Sequence, residues 1–236
     1  MIKFEHISFS YGEKLIFKDL NLEITPHQLT CLLGGSGSGK TTILRLIAGL
    51  ETPQKGSIFI HNQIVTKQES IIISPHERQT GFIFQDLALW PHFTVFENIA
   101  FGLKQKKESK IKEKVLDMLK FFGMESKMTK YPHELSGGQQ QLVAIARALV
   151  LEPKILLMDE PLSNLDVKLK RKTIEVIKNL KNNFGLTLVY VTHDHKEAFA
   201  IADEIILLNE GKIEEKGTPQ SIKQSENTFT KYFLEY

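Results

Sequence analysis

A glycine-rich loop between two apolar segments constrains the fold of this chain more than any other feature of its 236 residues. The loop runs from Gly34 to Thr41, reads GGSGSGKT, and fits the pattern G-x-x-x-x-G-K-[ST]. A short apolar run, Gln28 to Leu33, precedes it, and a segment with helical spacing follows from Thr42 to Gly49. A strand, a loop and a helix in this order form the first unit of a parallel α/β sheet.

The residue types of this loop indicate phosphate binding. Glycines let the backbone turn its N–H groups inward, and the N-terminus of the following helix adds a positive dipole end. We expect Lys40 to reach the β- and γ-phosphates of a nucleotide and the Thr41 hydroxyl to ligate Mg²⁺. The alternative is a chance Gly/Ser loop, which the strand–loop–helix context disfavours. The predicted phosphate-binding residues are Gly34, Gly35, Ser36, Gly37, Ser38, Gly39, Lys40, Thr41 and Thr42.

Two acidic residues, Asp159 and Glu160, follow the fully apolar run Ile155 to Met158. A buried parallel strand delivers its last side chains to the carboxyl edge of the sheet, where the phosphate loop also lies. Asp159 suits binding to Mg²⁺ either directly or through another Mg²⁺ ligand, and Glu160 suits a general base that polarises the attacking water. The alternative is an N-cap pair before Pro161, but capping alone does not require a carboxylate at the end of a buried run.

A second glycine-rich helix start lies at Leu135 to Gln139, which reads LSGGQ. Ser136, Gly137 and Gly138 open a helix, so free N–H groups and a positive dipole end face outward. This is a second phosphate-binding feature in a chain that already has one. The simplest explanation is that it caps the γ-phosphate of a nucleotide held by a partner copy; the alternative is an ordinary capped helix start.

The remaining pattern is that of a mixed α/β core with a helical insertion. From Thr94 to about Phe122 the hydrophobic period is helical, and its lysine-rich stretch, Lys104 to Lys114, predicts a solvated face. We expect a single domain over 1–236, with a core of about 1–85 and 145–236 and an inserted helical lobe of about 86–144. Further strands are predicted at Ile2 to Phe9, Leu15 to Ile24, Ser57 to Ile60, Gly81 to Phe84 and Leu186 to Val191, a hairpin at Ile205 to Ile213, and helices at Gln139 to Leu151 and Val167 to Asn182.

Composition excludes some classes of function. The net charge of +2 does not indicate a nucleic-acid footprint, and 42% apolar residues supply a sizeable core. The sequence contains no run of about 18 apolar residues, so we expect no transmembrane helix. A role at a membrane would therefore require other subunits.

Taken together and in order, these motifs resemble the nucleotide-binding subunits of ABC transporters over essentially the whole chain. Tyr11 matches the aromatic residue that stacks on adenine, Gln85 the Q-loop glutamine, and His193 the switch histidine. On their own, Tyr11 is more often a packed strand-end aromatic, and His193 a capping or packing residue. The other matching segments are Gly34 to Thr41 (Walker A), Leu135 to Gln139 (signature), Ile155 to Glu160 (Walker B) and Ser163 to Asp166 (D-loop).

The resemblance implies a P-loop NTPase fold: a mixed, mainly parallel sheet with helices on both faces, an N-terminal antiparallel β subdomain and an inserted helical subdomain. It implies ATP hydrolysis with Mg²⁺ in a head-to-tail dimer, with ATP between one subunit's Walker A and the other's signature. In the family, Gln85 senses Mg²⁺ and the membrane subunit, while His193 holds the γ-phosphate and orients water with Glu160. The implied catalytic residues are therefore Lys40, Gln85, Glu160 and His193, and the implied metal ligands Thr41, Gln85 and Asp159; Tyr11, Ser136, Gly137, Gly138 and Gln139 complete the ATP-binding set.

Phe84 to Leu103 resembles ATPases of binding-protein-dependent importers, and most of all the ferric-iron, polyamine, sulfate and maltose group. The implied partners are integral membrane permease subunits, a second ABC ATPase subunit and, indirectly, a solute-binding protein, without nucleic acid, at the cytoplasmic face of the cell membrane. Leu89, Trp90 and Phe93 form either a socket for a membrane-subunit helix or packing inside the lobe. An exporter or lipid-extraction ATPase, or a non-transport ABC ATPase, is the alternative.

The chain departs from the family pattern at a few positions and at its end. Gly35, Asn164, His195 and Phe199 stand where relatives often have Pro, Ala, Gln and Met, and none of these changes removes a catalytic group. The group usually carries a regulatory β-domain after the ATPase; the sequence ends at residue 236, and we expect no such domain here.

Overall fold

The computed structural model describes residues 1–163 and 165–235. Its strands are β1 (Ile2–Tyr11), β2 (Lys14–Ile24), β3 (Leu29–Gly34), β4 (Lys55–Ile60), β5 (Gln63–Lys67), β6 (Ser70–Ile71), β7 (Thr80–Ile83), β8 (Ile155–Asp159), β9 (Thr187–Thr192), β10 (Glu204–Asn209) and β11 (Lys212–Gly217). Its α-helices are α1 (Lys40–Ala48), α2 (Val95–Gln105), α3 (Ile111–Phe121), α4 (Gly137–Leu149), α5 (Val167–Phe184), α6 (His195–Ile201), α7 (Pro219–Lys223) and α8 (Thr228–Glu235).

The larger sheet has six strands in the order β11-β10-β3-β9-β8-β7. The pairs β10–β3, β3–β9, β9–β8 and β8–β7 are parallel, and the edge strand β11 runs antiparallel to β10. Strand β3 lies near the centre, so the glycine-rich loop that follows it leaves from the middle of the carboxyl edge. This arrangement confirms the predicted mixed, mainly parallel sheet.

The central strands are buried on both faces, which explains why they read as continuous apolar runs. Along β9, Val189 and Val191 face one core cluster, while Leu188 and Tyr190 face another. The first cluster holds α1 together with the N-terminal strands, and the second holds α4, α5 and α6. The predicted helices on both faces of the sheet are therefore present.

A second, five-stranded antiparallel sheet has the order β2-β1-β4-β5-β6. Strands β1 and β2 were predicted from their alternating pattern, and they pair with Ile2 opposite Ile24 and Tyr11 opposite Lys14. Strands β5 and β6 were not predicted. They are short, and five of their seven residues are exposed, so they show no alternation of buried and exposed positions.

Buried Arg78 connects the two sheets through helix α1. Its guanidinium donates to the carbonyls of Leu46 and Ile47 at the end of α1, at 3.1 and 2.9 Å. It also donates to the Val65 carbonyl and the Thr66 hydroxyl on β5, at 3.1 and 2.6 Å. Burial lowers the pKa of Arg78 to about 10. The side chain thereby fixes the helix that follows the glycine-rich loop against the antiparallel sheet.

Helices α2, α3 and α4 enclose a third apolar cluster. The sequence predicted one helical stretch from Thr94 to about Phe122, but it is interrupted between α2 and α3, where Lys107 has a positive φ of 54°. The lysines of this stretch are mostly exposed, as predicted. Helix α4 contributes Val143 to this cluster and Ile145 to the core, so it belongs to both; the division at residues 86 and 144 stays a prediction. In the described residues, the helices are too short or too polar to span a bilayer.

Candidate functional site

A cavity of about 710 Å³ lies at the carboxyl edge of the large sheet. The glycine-rich loop, the end of β8 and the end of β9 meet there, and the N-terminal sheet closes one side through Tyr11. The structure thus brings residues from six separate predicted motifs or strands to one place. The lining residues are Tyr11, Lys14, Ile16, Ser36, Gly37, Gly39, Lys40, Thr41, Thr42, Gln85, Glu160 and His193.

Glycine at position 39 is required by the local backbone and by its neighbours. Gly39 is the N-cap residue of α1 with a left-handed φ of 101°, and a Cβ there would lie 2.5 Å from the Phe17 ring. The first i to i−4 hydrogen bond of α1 runs from the Ile43 N–H to the Gly39 carbonyl at 3.0 Å. The N–H groups before Ile43 therefore have no acceptor inside the helix, and an anion can bind them.

The Lys40 ammonium lies inside the loop. Its Nζ donates to the carbonyls of Gly34 and Gly35, at 2.9 and 2.7 Å, and reaches the Ser38 hydroxyl at 3.4 Å. Burial lowers the pKa of Lys40, and the nearby carboxylates of Glu160 and Asp159 partly oppose this effect. A buried cation held by neutral carbonyls favours an anionic partner, because a phosphate compensates its desolvation better than carbonyl dipoles do.

Thr41 lines the cavity and is hydrogen-bonded to Asp159, which is not among the described residues that line it. The Thr41 hydroxyl donates to Asp159 Oδ1 at 2.8 Å. Burial raises the pKa of Asp159, and the hydrogen bond from Thr41 opposes this rise. Gln85, which also lines the cavity, adds an amide oxygen. Hydroxyl, carboxylate and amide oxygens are the ligands that Mg²⁺ prefers, so this set of residues fits the ion.

Glu160 and His193 both line the cavity and are paired with each other. His193 Nδ1 lies 3.1 Å from Glu160 Oε2, and the His193 side chain is 63% exposed. Glu160 has a positive φ of 43°, an uncommon conformation for a residue with a long side chain. The Glu160 backbone is therefore strained at the end of β8. Its side chain lines the cavity next to the His193 ring, which can donate a hydrogen bond.

Tyr11 lines the cavity from the N-terminal sheet. Its ring is 40% exposed and packs edge-to-face on Phe9 with the ring centroids 4.8 Å apart. Its hydroxyl donates to Glu51 at 3.2 Å. The ring is packed on Phe9 and partly exposed, so the packing interpretation is confirmed and stacking on adenine stays a prediction.

The LSGGQ segment does not share this cavity. Among the described residues that line the cavity, the segment 135–139 contributes none. Ser136 caps helix α4 in a capping box with Gln139: the Gln139 N–H lies 3.4 Å from the Ser136 hydroxyl, and the Ser136 N–H lies 3.0 Å from the Gln139 side chain. Ser136 and Gly137 are exposed. Within one chain, the two predicted phosphate-binding features are therefore separate.

The signature glycines pack closely against the segment that starts helix α5. A Cβ at Gly137 would lie 3.3 Å from Leu165, and one at Gly138 would lie 3.2 Å from Leu169. Gly138 is itself buried. The D-loop residue Leu165 and the α5 residue Leu169 thus lie beside the signature glycines. Asn164 lies outside the described residues.

Two residues of the cavity were not predicted from the sequence. Lys14 and Ile16 line it beside Tyr11. Tyr11 and Lys14 are directly opposite each other across the β1–β2 turn, so the hairpin that presents Tyr11 also presents these neighbours. The turn at Gly12, with a φ of 56°, was the available signal.

Near Gln85, the aromatic residues pack within the protein. The Trp90 ring lies 4.5 Å from that of Phe101 and 5.7 Å from that of Phe93, and Leu89 contacts two of the core clusters. These side chains are half-buried. The packing interpretation is therefore confirmed for Leu89, Trp90 and Phe93, whereas the socket stays a proposal.

Comparison with known families agrees with this geometry. The model of the family described as ABC transporter matches residues 17–163, which is more than half of the chain. The chain belongs to the ABC transporter family.

Two curated relatives and one solved structure show how far the similarity extends. The sulfate/thiosulfate import ATP-binding protein CysA of Bacillus cereus is 45% identical over 95% of this chain, and the Fe(3+) ions import ATP-binding protein FbpC 1 of Pectobacterium atrosepticum is 43% identical over 99%. The chain spans 63% and 66% of their respective lengths.

The solved structure is a dimeric ATP-binding cassette in a post-hydrolysis state with ADP and Pi. It is 34% identical to this chain and superimposes with a TM-score of 0.80, covering 93% of this chain and 99% of its own. The predicted P-loop NTPase fold is therefore confirmed.

Proposed function

We propose that this chain is the ATP-binding and ATP-hydrolysing subunit of an ABC transporter, and that it energises solute import through separate membrane subunits. One observation carries the proposal. A single cavity brings together a buried lysine in a glycine-rich loop, a hydroxyl–carboxylate pair suited to Mg²⁺, and a carboxylate paired with a histidine. These are the three elements that phosphoryl transfer to water requires: phosphate binding, charge neutralisation and activation of the nucleophile.

In this proposal, each residue of the site has a separate role in ATP hydrolysis. Lys40 exchanges its bonds to the loop carbonyls for phosphate oxygens and stabilises the charge that develops on them. Thr41 and Asp159, with Gln85, hold Mg²⁺, which when bound neutralises the phosphate charge. Glu160 accepts a proton from the attacking water, and His193 orients that water and the γ-phosphate. Tyr11 stacks on adenine through its open face.

We place the signature of a second copy over the γ-phosphate. Ser136 and Gly137 are exposed at the start of α4 and lie outside the cavity of their own chain, which supports a head-to-tail dimer with two composite sites. The dimeric relative bound to ADP and Pi provides a precedent in a protein 34% identical to this one.

The import function rests on relatives whose names describe import ATP-binding proteins. Their printed substrates differ, sulfate or thiosulfate in one and Fe(3+) in the other, and the cavity described here contacts nucleotide rather than solute. We therefore propose the class of function without a particular solute. The proposed partners are permease subunits and, through them, a solute-binding protein, at the cytoplasmic face of the membrane.

The test is the replacement of Glu160 by Gln. The variant is expected to bind Mg·ATP as the parent does, to lose at least about 100-fold in turnover because its general base is gone, and to accumulate as an ATP-bound dimer. Phosphate release, equilibrium ATP binding and light scattering measure these effects. The exposed acid Glu125 supplies a matched control, and Glu125→Gln should keep the parental rate. Unchanged hydrolysis by Glu160→Gln would contradict the assignment.

A further inference from the structure

A second carboxylate, Glu197, lies buried directly behind the Glu160–His193 pair. It is on the first turn of α6 and only 6% exposed. A small cavity of about 50 Å³ separates the two groups and is lined by residues that include Glu160, Lys170, His193 and Glu197. The proposed function assigns no role to Glu197 or Lys170, although a buried carboxylate is costly unless it is paired and hydrogen-bonded.

Three donors from two different elements compensate this burial. Glu197 Oε2 accepts the hydroxyls of Tyr190 and Thr192 on β9, at 2.9 and 3.0 Å. Its other oxygen, Oε1, accepts Lys170 Nζ from helix α5 at 2.7 Å. The carboxylate therefore links β9, which ends one residue before His193, to the helix that follows the D-loop.

The link fixes the backbone on both sides of His193. The Thr192 hydroxyl that donates to Glu197 also accepts the N–H of Asp194 at 3.0 Å. Asp194 in turn caps α6, accepting the N–H groups of Lys196 and Glu197 at 2.8 and 3.3 Å. His193 therefore lies between two residues that are connected to the Glu197 carboxylate, Thr192 directly and Asp194 through the Thr192 hydroxyl, while its own ring is largely exposed.

At its other end, the link reaches the beginning of α5. Asp166 caps this helix by accepting the N–H groups of Lys168 and Leu169, both at 2.9 Å, and Lys170 is the next residue. Leu165 and Leu169 pack near the signature glycines, as described above. A movement of the segment that begins α5 can therefore be transmitted to His193 through the Lys170–Glu197 ion pair and the Thr192 hydroxyl.

We propose that Glu197 is a positioning residue for His193 and that the Lys170–Glu197 pair couples the start of helix α5 to the orientation of that histidine. The inference rests on the proposed function, because His193 is assigned there to the γ-phosphate and the attacking water. Glu197 touches neither; it acts through Thr192 and Asp194.

The chain offers a matched control on the same helix. Lys181 also projects from α5 and pairs with a carboxylate, Asp203, at 2.7 Å. The side chains of Lys170 and Lys181 are 26% and 25% exposed, so the two lysines are alike in chemistry and burial, whereas the carboxylate of Asp203 is 36% exposed and that of Glu197 only 7%. The Asp203 carboxylate binds the Leu29 N–H rather than the residues around His193. Replacing either lysine by Met removes one ion pair, but only one of the two pairs is connected to the histidine.

The first experiment monitors the NMR signal of the His193 ring, which reports on the surroundings of that ring without any catalytic assay. The histidine rings are isotopically labelled, and the His193 signal among the eight histidines is assigned by its loss in His193→Asn. Lys170→Met should shift or broaden the His193 ring resonance, whereas Lys181→Met should leave it in place. Lys170 is replaced rather than Glu197 because the two hydroxyl donors of the carboxylate then remain and the fold is preserved. An unmoved His193 signal in Lys170→Met, or an equal change in both variants, would overturn the proposal.

The second experiment measures the coupling in the reaction itself. Lys170→Met should lower kcat about tenfold, the order expected for the loss of one charge-assisted hydrogen bond, while KM for ATP changes less than about twofold. In a His193→Ala background, followed by single-turnover phosphate release, the same substitution should have almost no further effect. Equal factors in both backgrounds would refute the coupling. If the unaltered chain does not hydrolyse ATP, the proposed function fails, and the resonance measurement still decides the positioning role.

Discussion

At the scale of single residues, the site consists of charges that are expensive to bury. Asp159 is 7% exposed and Lys40 is 6% exposed. Burial raises the pKa of Asp159 and lowers the pKa of Lys40, and both shifts favour the neutral form of the side chain. In each case the charged form is disfavoured in the folded chain relative to the unfolded chain. The proposed function explains their retention, because a bound phosphate and a metal ion would compensate both charges.

This cost predicts that Asp159→Asn stabilises the protein while it abolishes ATP hydrolysis. Because the folded-state pKa of Asp159 is raised above its unfolded value of 3.8, the folded protein loses stability as the pH rises through the interval between the two values. The Asn variant, which keeps the acceptor for Thr41, should gain about 1 kcal/mol, or about 2–4 °C in Tm, at pH 7, and this gain should shrink as the pH falls toward about 4.

Thermal unfolding over this pH range measures the effect. Asp117→Asn changes an exposed carboxylate on α3 and serves as the control, for which we expect no pH-dependent difference. A lower Tm for Asp159→Asn at neutral pH would show that the carboxylate stabilises the fold instead.

Individual residues also show what the sequence can and cannot predict. Lys40, Thr41 and Asp159 could be predicted because a loop pattern and a strand end each have a fixed geometry. In the structure Lys40 and Thr41 line one cavity, and Thr41 is hydrogen-bonded to Asp159. Glu197 was missed because, in sequence, it is an ordinary acid in the first turn of a helix. Its importance depends on Lys170 and Tyr190, which are distant in the chain and meet it only after folding.

At the scale of elements, helix α4 holds the loop that follows Gln85. Arg147 on α4 donates to the carbonyls of Leu87 and Ala88, at 2.7 and 2.5 Å, and its guanidinium lies 5.0 Å from the centre of the Trp90 ring. Leu87 and Ala88 both have positive φ values, 61° and 44°. Two adjacent residues in this conformation are strained, so the arginine compensates a turn that would otherwise relax.

We predict that Arg147→Met destabilises the protein by about 2 kcal/mol, because it removes charge-assisted hydrogen bonds and a cation–π contact. Hydrogen exchange of the amides from Gln85 to Trp90 should accelerate in this variant. Arg147→Lys should have an intermediate effect, since an ammonium cannot bind both carbonyls and cover the ring at once.

Denaturant unfolding and hydrogen exchange with mass spectrometry measure both quantities. Arg171 is an exposed arginine on α5, and Arg171→Met should change neither. If the Arg147 variants unfold like the parent, the turn is held by other contacts.

Regular elements were more predictable than the connections between them. The strands β1, β2, β8 and β9 follow from alternating or continuous apolar runs, whereas the break between α2 and α3 does not, because Lys106 and Lys107 are good helix formers. The chain turns there because α2 and α3 must both face α4 across one apolar cluster. Tertiary packing therefore overrides local propensity at this position.

At the scale of the whole molecule, the proposed dimer predicts that a change at the signature acts on a nucleotide bound by the other chain. Ser136→Arg should block closure of the second copy, so hydrolysis and ATP-dependent dimerisation are lost while one chain still binds ATP with parental affinity. The chain without ATP is expected to be mainly monomeric. Light scattering with and without Mg·ATP, together with equilibrium binding, measures these outcomes.

Thr94 provides the control for the loss of a helix cap. It caps α2 with the same type of capping box, formed with Glu97, but lies outside the signature. Thr94→Arg and Ser136→Arg should each cost about 1 kcal/mol of stability, and only the second should stop hydrolysis. Dimerisation of Ser136→Arg with ATP at the parental level would rule out the composite site.

The path of the chain after the signature has a consequence for timing. Helix α4 begins at Gly137, and only residues 150–154 separate its end from β8, which finishes at Asp159. In the proposed head-to-tail dimer, residues 137–159 would contact both nucleotides. The start of this segment, at Gly137, would face the ATP of the partner, and its end, at Asp159, would face the ATP bound by its own chain. Release of phosphate from one site is therefore expected to change the nucleotide contacts at the other site. The two copies should then hydrolyse ATP in a correlated order rather than independently.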